Sequence, residues 1–157
     1  MKYILILIFI CSITTKAKAQ WQGLEGIKYC EENLQNSVKG WGIKMKNIEA
    51  RFEDDFRKNP AMRTNLEQIH LQFKANGILT VVMGAQTAQG TWGIESKDKN
   101  TTDTNPLLLL KIGGQPIQKY TIMVLAYGKL LLHDESPDLQ DQRMRLVEYE
   151  NRDKKKK

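Results

Sequence analysis

His70 and His133 are the only two histidines in the chain. They are the side chains whose ordinary titration falls near neutral pH. His70 ends the tetrad EQIH, with Glu67 three residues before it. Metal binding would need both on one helical face. The Gln68–Ile69 junction instead reads as a helix giving way to a strand. His133 opens HDESPDLQD, which crowds Asp134, Glu135, Asp138 and Asp141 into one short span. Oxygen-rich loops can hold Ca2+, but the regular D-x-D-x-D-G spacing is missing and Pro137 favours a polar turn. There is no G-x-S-x-G elbow and no phosphate-cradling glycine loop. Cys30 has no histidine close to it in sequence. Carboxylates distant in sequence could still meet in space. The expectation is nonetheless a protein that is not an enzyme, with no metal and no cofactor.

Apolar side chains offer a different chemistry. Ligand pockets are mostly apolar, with a few polar groups that orient the guest. Phe73, Trp92, Tyr120, Ile122 and Val124 fall on core-facing positions of expected strands and are the candidate ligand contacts. The competing reading is that they only fill a core. Trp41 and Trp92 would then close one end of it.

Strands must position these residues. Ile69, Leu71 and Phe73 alternate with His70, Gln72 and Lys74, the period of a half-buried strand. Asn76-Gly77 can take the positive φ angles of a tight turn. ILTVVM is rich in β-branched residues. GAQTAQ reads as a turn, GTWGIE as a strand, and SKDKNTTDTNP as a polar loop. LLLLKI is apolar on both faces, so its inward face is open. QKYTIMVLA, KLLLHDE and QRMRLVEYE complete the run. Eight strands are expected, near 41–50, 69–75, 78–83, 89–95, 106–112, 118–126, 129–134 and 143–150. Seven follow one another through short turns, which favours an antiparallel meander. Closing it into a barrel removes both unpaired edges. Eight strands leave an interior that side chains fill or that holds one small ligand.

Two helical parts flank the first strand. Leu24, Ile27, Leu34 and Val38, with Glu31, lie at roughly helical spacing before Gly40. This N-terminal helix either plugs the barrel mouth or leaves an exposed apolar stripe for a partner. GWGIKMKNIEARF fits a strand through Trp41, Ile43 and Met45, and a helix through Trp41, Met45, Ile48, Phe52 and Phe56. Its glycines favour a strand over 41–50. A short helical insertion then follows, with Asn59 as N-cap, Pro60 at the first helical position, and Met62 and Leu66 inward.

The quoted pattern, GW-I, LQFKANGILTV, GTWGIE, LLLLKI and YTIMVLAYGKLLL, resembles the lipocalin-like domain proteins exported by Bacteroidetes-type bacteria. The match covers about residues 39–149. The resemblance implies an eight-stranded meander barrel and, at most, binding of a small apolar molecule. The segment 20–38 and the lack of a lipobox depart from that pattern.

The ends of the chain bound location and partners. MKYILILIFICSITTKAKAQ has a basic start, an apolar run over 4–13 and an A-x-A site, so residues 1–19 read as a secretory signal peptide. The apolar run is too short to span a membrane. The product would be periplasmic or secreted. Cleavage removes three lysines from a net charge of +6, leaving 6 − 3 = +3. NRDKKKK carries five positive charges and one negative, or +4, so the folded part is near 3 − 4 = −1. Residues 151–157 read as a basic disordered tail, with weak membrane contact at most. No basic, aromatic-laced stripe for nucleic acid is present. The domains are therefore 1–19, 20–38, a barrel over 39–150, and 151–157. Cys30 alone remains after cleavage, as buried filler, intermolecular link or free thiol.

Overall fold

The computed structural model describes residues 23–96 and 105–153. The expected leader over 1–19, the Leu24 side chain, most of the polar loop and the four terminal lysines lie outside the described residues. The rest forms a closed barrel of eight antiparallel strands in sequence order. The helix α1, Gly23–Gln35, precedes β1, Trp41–Ile43. Three short helices follow: α2 (Met45–Glu49), α3 (Glu53–Lys58) and α4 (Pro60–Glu67). Then come β2 (Ile69–Lys74), β3 (Ile78–Met83), β4 (Gln86–Glu95) and β5 (Leu107–Ile112). The last three strands are β6 (Gln118–Ala126), β7 (Lys129–Asp134) and β8 (Leu146–Asn151). β1 pairs with both β2 and β8, which closes the ring.

Turn chemistry sets the meander. Asn76 and Gly77 take φ of 61° and 71° between β2 and β3, as their residue types allow. Gly84 turns β3 into β4 at φ 63°. β4 begins at Gln86 rather than near 89, because Thr87, Ala88 and Gln89 pair with Val82, Val81 and Thr80 instead of turning.

β1 is three residues long, not ten. The helical stripe in its sequence prevails: Met45, Ile48, Phe52 and Phe56 bury together with Ile43 and Val147. Met62, Leu66 and Ile69 pack against that cluster. Asn59 precedes α4 with Pro60 in the first turn, as expected, but its side chain makes no capping bond.

Directly paired residues share a face of the barrel wall. Leu71, Val81 and Ala88 form one inward row with Trp41, and Leu125, Leu130, Tyr149 and Ile43 another. Leu108 and Leu110 are the inward leucines of β5, while Leu107 and Leu109 face out. At the end where β1 starts, α1 plugs the barrel. Cys30 and Leu34 are fully buried in the same core as Trp41, Phe73 and Trp92. The Trp41 indole N–H donates to the Leu34 carbonyl at 2.9 Å. Val38, expected on the docking face, is 88% exposed. It lies beyond the last turn of α1, in a loop whose Val38 and Lys39 amides donate to the Asp153 carboxylate. At the opposite end, α2–α4 pack against the mouth beside β8, β1 and β2.

Candidate functional site

The five candidate ligand contacts do not share one environment. Phe73 and Trp92 are inward and buried, their rings edge to face at 5.3 Å. The Trp92 indole N–H donates to the Lys74 carbonyl at 2.9 Å. Together with Trp41 they form the packed floor over α1, the end-closing role expected of the tryptophans. Ile122 is inward with no exposed surface. Val124 is not core-facing. The pairing of β6 with β7 slips between Ile122 and Val124, so one extra residue, Met123, enters the strand. Such a bulge inverts the alternation after it. Val124 is 38% exposed and pairs with outward-facing Leu131, and Leu125 takes the inward position.

Tyr120 alone of the five is both inward and partly accessible. It stands opposite Asp134 of β7 and Leu108 of β5 in one inward row. This places it at the mouth where β6 starts and β7 ends. Ala88, Ile112 and Tyr149 are likewise inward and only partly buried. Tyr120, Ala88 and Ile112 thus lie toward the mouth end of the barrel, while Tyr149 packs against both the barrel core and the α2–α4 cluster. Deeper inside, Leu79, Leu108, Ile122 and Leu130 have no accessible surface. They touch neither solvent nor a void the size of a water molecule.

Tyr120, Tyr149 and Asp134 are polar side chains at inward positions of β6, β8 and β7. Burial, and then the charge of Asp134, push the Tyr120 hydroxyl up to about 12. Burial, then Tyr120 and Asp134, also raise Tyr149. Both phenols are therefore neutral at physiological pH. The Tyr120 hydroxyl donates to Gln118 Oε1 at 3.1 Å. The Tyr149 hydroxyl has no hydrogen-bond partner among the described residues. Asp134 Oδ1 accepts from the Ser136 amide at 2.7 Å.

Asp134 and Tyr149 escaped sequence reasoning, although the alternation Leu130, Leu132, Asp134 carries the signal for one of them. By sequence Asp134 belongs to the oxygen-rich span HDESPDLQD. In fact those acids diverge. Glu135 folds back onto the outer wall, where it bonds the Thr121 hydroxyl and sits 3.2 Å from His133 Nδ1. Asp141 binds Arg143, and Asp138 is exposed. His70 faces outward on β2, its pKa lowered by burial and by Arg152. Among the described residues no group of three or more His, Cys, Asp or Glu could hold a metal ion.

A cleft of about 470 Å3 lies outside the barrel, along the seam of β7, β8 and β1. Its walls carry Lys44, Glu148, Glu150 and Arg152. Lys44 and Glu148 already pair at 2.7 Å. Such a wall suits water better than an apolar guest.

Comparison with protein-family models, curated proteins and solved structures returned no match.

Proposed function

We propose that the chain is an exported, lipocalin-like barrel that binds a small, mainly apolar ligand without transforming it. The observation that carries this reading is the inward but only partly buried set Ala88, Ile112 and Tyr120 toward the mouth end of the barrel. An apolar recess with few polar groups is the usual form of a small-molecule site. Because the barrel is packed beneath the recess, the ligand is short.

A rival reading is an interaction module with a filled core. The fully buried Leu79, Leu108, Ile122 and Leu130, with α1 seated against them, favour it. Titration with Nile red, an uncharged dye sensitive to its surroundings, separates the two. Binding predicts a saturable rise in emission that Ala88→Phe weakens at least tenfold while circular dichroism stays unchanged. Absence of a saturable signal in the parent chain, or equal dye binding by Ala88→Phe, leaves the filled-core module standing.

A further inference from the structure

We propose that the end of the barrel plugged by α1 docks on an anionic lipid surface. Val38 and Tyr127 enter the headgroup layer, and the lysines around them meet lipid phosphates. This goes beyond the ligand reading and does not depend on it.

The end of β8 runs between two projecting turns. The Asn151 amide donates to the Gly128 carbonyl at 2.9 Å, and the Arg152 amide to the Gly40 carbonyl at 3.0 Å. On one side stands the β6–β7 turn with Tyr127 at its tip. On the other stands the α1–β1 loop, whose Val38 and Lys39 amides donate to the Asp153 carboxylate at 2.6 and 2.9 Å. Lys39, Tyr127, Lys129 and Asp153 line one cleft between them. Tyr127 is 95% exposed and Val38 88%, and no other large apolar side chain among the described residues exceeds 53%. One such side chain alone would need no partner. Here the two most exposed flank a single segment at one end of the barrel. Tyr127 also holds φ at 52°, a value that bulky residues rarely adopt. The turn keeps an exposed ring where Asn or Gly would sit with less strain.

The charges at this end favour an anionic partner. Lys39, Lys74 and Lys129 are exposed, and none forms an ion pair with a described residue. Lys74 and Val38 border one groove beside the plug. The acids of the cleft are engaged. The two loop amides hold Asp153, Glu150 lies 3.9 Å from Arg152, and Glu148 pairs with Lys44. Residues 154–157, all lysine, follow Asp153 directly. Four more positive charges therefore join the chain between the two apolar prongs. A tyrosine at headgroup level, beside lysines that reach phosphates, is the common interfacial arrangement. A basic tail by itself binds a bilayer weakly. Two apolar anchors and fixed lysines at the same end supply what it lacks.

The test uses the full mature chain and sedimentation with sucrose-loaded vesicles. One set is phosphatidylcholine, the other an equal mixture with phosphatidylglycerol. Binding should favour the mixture by about tenfold or more and collapse in about 0.5 M salt. Joint Lys39→Gln and Lys129→Gln should weaken it about 25-fold, since each lysine near the surface contributes about fivefold. Tyr127→Asn suits the positive φ, so thermal melting should not fall, while vesicle binding drops several-fold. Equal binding to both vesicle sets, or binding to neither, overturns the proposal. So does binding that ignores Tyr127→Asn and the double lysine variant but vanishes when the four terminal lysines become glutamine, which marks a tail acting alone. Heparin binding without vesicle binding overturns it too, in favour of a soluble polyanion.

Discussion

The two ends of the barrel are closed by different means. At one end α1 inserts Cys30 and Leu34 into the barrel's own core, and one buried indole bond to the Leu34 carbonyl fixes it. At the other end α2–α4 build a separate cluster around Ile48, Phe52 and Phe56. That cluster takes in Ile43 and Val147, packs against Met144 of the β7–β8 loop, and is also tied to that loop by charged groups at the surface. Arg143 pairs with Asp55 at 2.5 Å and with Asp141 at 2.8 Å, and its guanidinium lies 4.1 Å above the Phe52 ring. Arg51 donates to the Arg143 and Leu146 carbonyls. The plug shares its core with the barrel, so it cannot leave without exposing that core. The lid has a core of its own and covers only part of the mouth. A binding recess is compatible with the second arrangement and not with the first.

The difference breaks most sharply at Trp41. Trp41→Ala should lower global stability by about 3–5 kcal/mol in a denaturant titration, since it removes a buried ring and the anchor of α1 together. Phe52→Ala should cost about 3 kcal/mol and should act on the lid first. Hydrogen exchange would then rise in α2–α4 while β2–β7 stay protected. Uniform loss of protection in Phe52→Ala would show that the two ends are one cooperative unit.

Alkali probes the two ends through different groups. Burial, then the charge of Glu31, push the Cys30 thiol at the plug up to about 12, from an ordinary value of 9.0. Tyr120 at the mouth rises to about 12 from 10.0. In both cases the folded state holds its proton more tightly than the unfolded chain. The stabilisation is complete below pH 9 and fades as pH rises from about 9 to 12. The slope is on the order of 1 kcal/mol per pH unit for each group. Cys30 should also resist iodoacetamide at pH 8 in the folded protein and react on unfolding. Reaction in the folded state would mean that α1 undocks. The smallest effect is expected for Arg143→Ala. Its exposed ion pairs contribute little in water, so the denaturation midpoint should fall slightly at low salt and by less at high salt.

The barrel was legible in sequence because each strand's alternation, and the Asn76-Gly77 and Gly84 turns, answer to local chemistry. The face of LLLLKI was not, since four consecutive leucines carry no alternation. The first strand was misjudged because 41–50 satisfies two periods at once. The choice fell to tertiary packing, where Met45 and Ile48 reach the phenylalanines of the lid. Val124 failed for a similar reason. A bulge at Met123 leaves every residue type unchanged and reverses which of them face in. Asp134 shows the opposite error, a residue assigned by the company it keeps in sequence and not by its phase along β7.

The brevity of β1 has a consequence for how the chain assembles. Strands β2 to β8 join neighbour to neighbour, and the hairpins with short turns, β2–β3, β3–β4, β5–β6 and β6–β7, form early. The ring is sealed only when Trp41 meets Asn151, across 151 − 41 = 110 residues, through three pairs on one side and two on the other. Until then the meander is an open sheet with two bare edges, the form most prone to sticking to its own kind. Assembly should therefore be limited by this last step, and refolding yield should fall steeply as protein concentration rises.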